Sequence, residues 1–150
     1  MKFKTVIISA FPGMGKSYVY KKYGEEFCSD SDSSQFDKSQ FPSNYITHIK
    51  SLLGEKKFIF VSSHKVVRDS LRLEDMPYVL VYPTVNRKQE FLENYKNRGN
   101  TEGFIKLLEE NFEKWVQECE VAEYPNHIQC PQGFIEDILC YLDTELEENK

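Results

Sequence analysis

Two hydrophobic periods alternate along the chain. Phe3–Ser9 is a continuous apolar run with β-branched residues, which suits a strand covered on both faces. Gly15–Tyr23 follows as a helix closed by Gly24. Glu26–Ser29 reads as a short second strand and Ser31–Gln40 as polar loop. Pro42 and Ser43 open a helix carrying Ile46, Ile49, Leu52 and Leu53, stopped at Gly54. Lys57–Val61 is the third strand, after which Ser62 or Ser63 caps a helix bearing Val66, Val67 and Leu71. Beyond Pro77, the strand Tyr78–Tyr82 leads to a charged helix, Asn86–Asn97, with Phe91, Leu92 and Tyr95 on its apolar side. Gly99–Asn100 breaks that helix. Thr101–Cys119 then reads as a long amphipathic helix with Phe104, Leu107, Leu108, Phe112, Trp115 and Val116 at core spacing. A last short strand, Asn126–Cys130, precedes a helix over Gly133–Leu146.

Strands that alternate with helices predict an α/β fold: three layers, with a five-stranded parallel sheet between helices. Right-handed crossovers bring every strand-to-helix loop to one edge of such a sheet, where ligands bind. The length of 150 residues suits a single domain spanning 1–150. A net charge of -5 argues against broad electrostatic binding of nucleic acid, so any polyanion site must be a local basic pocket. Cys28, Cys119, Cys130 and Cys140 form no C-x-x-C pair, and the three histidines lie far from them in sequence, so reduced thiols are expected rather than a zinc site. The apolar run near the start is too brief for a membrane span and leads into a glycine loop, so it reads as a strand rather than a signal peptide. No membrane association is expected, and a cytoplasmic location fits the free thiols.

The first loop carries the strongest chemistry. Ala10-Phe11-Pro12-Gly13-Met14-Gly15-Lys16-Ser17 matches the phosphate-loop pattern G-x-x-x-x-G-K-[ST], with Ala10 in place of the first glycine. Gly13 and Gly15 allow a turn whose N–H groups, Met14 among them, converge on phosphate oxygens at a helix N-terminus. Lys16 then reaches the β and γ phosphates of ATP, and Ser17 offers a hydroxyl to Mg²⁺. This predicts a P-loop fold of the kinase type with ATP and Mg²⁺ as its ligands. Asp30-Ser31-Asp32 follows the second strand; residues two apart in extended chain face one way, so both carboxylates can serve one site. Between them they supply what transfer to a hydroxyl needs, a metal ligand and a group that orients the acceptor.

A P-loop followed by Asp-x-Asp resembles the small-metabolite and nucleotide kinases, including shikimate-kinase-like enzymes. That resemblance implies Asp30 near the metal and Asp32 on the acceptor hydroxyl. The third strand ends Val61-Ser62-Ser63-His64 rather than in a glycine run, which departs from shikimate kinase and removes the Asp often found there. Asp32-Ser33-Ser34, Phe41-Pro42-Ser43-Asn44-Tyr45-Ile46 and Phe60-Val61-Ser62-Ser63-His64-Lys65-Val66-Val67-Arg68 together resemble small phage-encoded proteins of nucleoside- or adenylate-kinase-like type. This likeness implies ATP use and, if it extends to the source, residence in a host cytoplasm.

Three further basic features complete the expectation. His64 and Arg68, four apart on one helix face, are candidates to bind an acceptor's phosphate. Arg87 and Arg98 lie about three helical turns apart, and the segment from about 86 to 103 reads as a lid that brings them over the transferring phosphoryl group. The competing reading for Arg87 is a surface pair with Glu90. The turn Pro131-Gln132-Gly133 is a place for adenine to pack. The expected activity is transfer of the γ-phosphoryl of Mg·ATP to a nucleoside- or nucleotide-like acceptor, with Lys16, Asp30 and Arg98 as catalytic groups. A nucleic-acid acceptor held by Arg87, Lys88, Lys96 and Arg98 is the alternative, as is an ATP-binding switch without transfer. Oligomeric state is left open.

Overall fold

The computed structural model describes residues 4–31, 36–122 and 126–139. Five strands form one all-parallel sheet: β1 (Val6–Ala10), β2 (Cys28–Asp30), β3 (Phe58–Ser62), β4 (Tyr78–Pro83) and β5 (His127–Cys130), in the spatial order β2-β3-β1-β4-β5. The helices are α1 (Lys16–Tyr23), α2 (Ser43–Leu52), α3 (Lys65–Leu73), α4 (Lys88–Asn97) and α5 (Glu102–Glu120), with a short helical stretch at 135–139 after β5. Val85–Arg87 forms a 3₁₀ turn that leads into α4.

The central strand β1 is buried at all five positions and pairs with β3 on one side and β4 on the other, Ile8 lying between Phe60 and Val79. A strand flanked on both edges and covered on both faces has no solvated side, which is why its sequence is uniformly apolar. The chain leaves β1 toward β2 on one side, whereas it leaves the neighbouring β3 across β1 to β4. With right-handed crossovers α1 lies on one face and α2, α3 and the α4–α5 hairpin on the other. Two contacts agree. Lys50 of α2 pairs with Glu74 at the end of α3, and the His64 ring lies edge-on to Trp115 of α5. The stretch after β5 returns to α1: the Ile135 N–H donates to the Met14 carbonyl at 2.9 Å, and Lys22 pairs with Glu136.

Several element bounds differ from the sequence reading, each for a local reason. β2 starts two residues later than expected and ends one later, on Asp30, because Cys28, the buried residue of the strand, sets its pairing with Phe58. The residue before α3 is His64, not a serine cap; the Ser62 hydroxyl instead accepts from the His64 N–H at 3.1 Å and shapes the approach to the helix. Thr101 caps α5, its hydroxyl accepting from the Phe104 N–H at 3.2 Å. Phe104 and Leu107 are exposed rather than core, because the buried stripe of α5 runs through Leu108, Phe112, Val116 and Cys119. The expected helix to Leu146 is described only as far as residue 139. Cys28, Cys119 and Cys130 are free and buried. Burial pushes the Cys119 thiol up to about 12, so it is inert near neutral pH.

Among the described residues no helix is long and apolar enough to cross a membrane.

Candidate functional site

In an open α/β sheet the crevice forms where neighbouring strands send their connections opposite ways. Here that point lies between β1 and β3. A cavity of ≈1110 Å³ opens there. The end of β1 and the start of α1 line it with Ala10, Pro12, Gly13, Gly15, Lys16 and Ser17. The ends of β2 and β3 contribute Asp30, Ser31, Ser62, Ser63 and His64. The α4–α5 corner adds Asn94, Tyr95, Asn97, Arg98, Asn100 and Phe104, and the segment after β5 adds Phe134, Glu136 and Asp137.

Two residues of the first loop have left-handed backbone, Gly13 at φ 90 and Gly15 at φ 93. That conformation strains any residue with a Cβ. Space excludes one as well: a Cβ on Gly13 would lie 2.8 Å from Cε1 of Tyr95. Gly15 stands immediately before α1 and provides no side-chain cap. The first intrahelical bond is Val19 N–H to the Gly15 carbonyl, so the N–H groups of Lys16, Ser17 and Tyr18 have no acceptor within the helix. They sit at the positive end of the helix dipole and at the cavity edge. Met14 does not join them. It is buried, and its N–H donates to the Phe11 carbonyl at 3.2 Å. Its side chain packs in the core, and its carbonyl holds the segment after β5.

Tyr95 secures this loop from the other side. Its hydroxyl donates to the Pro12 carbonyl at 2.6 Å, and burial raises the phenol above its ordinary range, opposed only by Arg98. The periodicity of α4 marked Tyr95 as core; nothing local indicated that it holds the glycine turn. Replacing Gly13 with alanine is expected to expel this ring and cost about 1–3 kcal/mol in denaturant unfolding. Retention of wild-type stability would show that the turn yields without strain.

The cations in the cavity lining are Lys16, Lys21 and Arg98. None has an ion-pair partner among the described residues, unlike Lys22, Lys50, Lys65 and Lys88, which are paired. The Ser17 hydroxyl lies 3.5 Å from Oδ2 of Asp30, and Oδ1 of Asp30 is buried with no partner. A buried carboxylate oxygen without a donor is costly unless a ligand or cation completes it. Ser31, behind it, is fixed by the Tyr45 hydroxyl on its carbonyl and by its own hydroxyl, 2.9 Å from Ser29 Oγ and 3.1 Å from His48 Nε2. His64 stands at the mouth. Its ring is partly covered, and desolvation followed by the charges of Lys16 and Arg68 keeps the imidazole below its usual titration range, hence neutral at pH 7.

Two expected ligands of the site are elsewhere. Arg68 is buried, its Nε donates to the Ser63 carbonyl at 2.8 Å, and it lines a separate crevice of only ≈40 Å³ with Trp115 and Glu118. It supports the β3–α3 turn and does not itself line the main cavity, although its charge is felt at His64. Arg87 is 5% exposed and fully engaged. It makes a two-pronged pair with Glu90 at 2.8 and 2.9 Å and donates to the carbonyls of Cys130 and Gly133. Its guanidinium lies over the rings of Phe91 and Phe134. Arg87 thus clamps the segment after β5 against α4 and does not line the cavity; only Arg98 of the expected arginine pair does. With Lys88 paired to Glu113, two of the four cations expected to hold a nucleic-acid strand are engaged internally. The rest of the expected lid is also anchored, through buried Phe91, Leu92 and Tyr95, so the open part is the corner from Asn97 to Asn100. Asp32 lies outside the described residues.

No protein family's sequence pattern matches this chain, and no curated protein matches it.

Proposed function

We propose that the chain is a P-loop phosphotransferase that uses Mg·ATP. The observation that carries this reading is the turn from Gly13 to Ser17: two left-handed glycines, an uncapped helix start and an unpaired lysine, all at the crevice between strands whose connections diverge. A turn of this kind is a concave surface of N–H donors, and a cavity of ≈1110 Å³ beside it has room for a nucleotide and a small acceptor.

The first-turn amides of α1 bind phosphate oxygens, and the Lys16 ammonium offsets their charge. Arg98, across the cavity, approaches the same charge from the α4–α5 corner. Ser17 and Asp30 fit a divalent cation: two hard oxygens face each other at 3.5 Å, and the second Asp30 oxygen has no partner. Among the described residues no group of three or more His, Cys, Asp or Glu gathers, but a phosphate-borne Mg²⁺ needs only one or two protein ligands. When bound, that cation draws charge from the phosphate oxygens. Phe134, beside Gly15 and under the Arg87 guanidinium, offers an apolar wall for the base.

The test is transfer of labelled γ-phosphate from ATP to a panel of small acceptors. Asp30→Asn is expected to lower kcat by about 10²-fold while ATP affinity changes by no more than about threefold. Equal losses in both, measured by calorimetry alongside kinetics, would remove the division of labour between Asp30 and the glycine turn.

A further inference from the structure

The acceptor half of the cavity has a chemistry that narrows the substrate. Resting on the phosphotransferase reading, we infer that the acceptor is an uncharged compound attacking through a hydroxyl, such as a nucleoside or sugar, and not a phosphorylated one. The ends of β2 and β3 supply one carboxylate, three serines and a neutral imidazole, from Asp30, Ser31, Ser62, Ser63 and His64. They supply no cation. Arg68, the one arginine near enough in sequence, turns away into its own crevice and spends its Nε on the Ser63 carbonyl.

The cavity's cations sit elsewhere. Lys16 and Lys21 belong to α1, and Arg98 to the α4–α5 corner. Lys16 and Arg98 are engaged by a triphosphate that remains a net anion even with its divalent ion. A phosphomonoester adds roughly -1.5 to -2 of charge at neutral pH. Placed at the β2–β3 end it would meet the Asp30 carboxylate with no counter-charge from either strand. A hydroxyl suits the same place: Oδ1 of Asp30 is a buried acceptor that lacks a donor. In the transfer, the acceptor oxygen bonds to the γ-phosphorus as the bond to the β–γ bridging oxygen breaks. The hydroxyl proton is lost to solvent, and ADP leaves.

The experiment uses the full chain with labelled ATP and Mg²⁺, and offers uncharged nucleosides, uncharged sugars and the 5′-monophosphate of each nucleoside. Transfer to an uncharged acceptor is expected to exceed that to its monophosphate by about 10²-fold or more in kcat/KM. In parallel, calorimetry on protein saturated with a non-hydrolysable ATP analogue compares nucleoside with monophosphate binding. Asp30→Asn should tighten the monophosphate relative to the nucleoside by about tenfold. Preferred transfer to monophosphates, with ATP bound normally, would overturn the acceptor assignment and leave the phosphotransferase reading standing. An Asp30→Asn variant with unchanged selectivity, or ATP binding with no uncharged acceptor bound or phosphorylated, would overturn the assignment as well. Failure to bind Mg·ATP at all would remove both.

Discussion

Replacing Lys16 with alanine is expected to reduce phosphoryl transfer by about 10³-fold and to weaken ATP binding by about tenfold or more. The size follows from where the ammonium sits. Lys16 is the first residue of α1, lines the cavity and has no ion-pair partner among the described residues. Its charge therefore adds to the helix dipole and the uncapped amides, and nothing else at the glycine turn replaces it. The same lack of partners means the fold loses little: the variant should unfold within about 0.5 kcal/mol of wild type. Lys16→Arg should recover only part of the activity, because a planar fork does not reproduce a compact point charge on a short reach. Kinetics with labelled ATP, calorimetry and thermal unfolding together check this. Lys50→Ala, which removes a surface pair with Glu74, serves as the control. A Lys16→Ala variant with near-normal transfer would mean the glycine turn is a structural corner and not a phosphate cradle.

Phe112→Ala is expected to be the most destabilising single truncation, at about 3–5 kcal/mol and a fall in Tm of roughly 10 °C. Phe112 is fully buried and meets Phe11 edge-on at 5.3 Å and Phe91 at 5.7 Å. Phe11 is the first residue beyond β1 and Phe91 lies on α4, so this trio fastens the hairpin of α4 and α5 to the root of the glycine turn. The packing continues from Phe91 to Tyr95, whose hydroxyl holds Pro12. Emptying the Phe112 site therefore removes core surface and also loosens the cavity wall that carries Arg98. Phe104→Ala is the contrast: that ring is 43% exposed at the cavity rim, and its loss should cost under about 1 kcal/mol. Similar losses for the two variants would mean the buried trio contributes no more than surface packing.

Arg68 and Arg87 show why candidate ligands are harder to read than a glycine turn. An arginine six residues beyond a strand end, or at the head of a charged helix, has the same one-dimensional surroundings whether it reaches a ligand or folds inward. Arg87 turns inward because the carbonyls of Cys130 and Gly133, more than forty positions along the chain, need donors, and because Phe91 and Phe134 flank its guanidinium. The Glu90 pairing was visible locally; the carbonyl acceptors were not. Phe104 illustrates the same limit for apolar residues. Its spacing fits the α5 stripe, yet the stripe's edge faces a cavity rather than a core.

The sequence by itself determined the alternation of strands and helices, the parallel sheet, and the glycine turn with Lys16 and Ser17. These depend on period, on residues that tolerate left-handed backbone and on spacing within a few positions, all of which are local properties of the chain. Tertiary structure alone decided which charges remain available: Asp30 and Arg98 reach the cavity, while Arg68 and Arg87 are taken by carbonyls and carboxylates. It also brought Tyr95 to Pro12 across 83 positions. A side chain's freedom depends on which distant groups the fold places beside it, and burial makes an unsatisfied donor or acceptor too costly to leave unpaired.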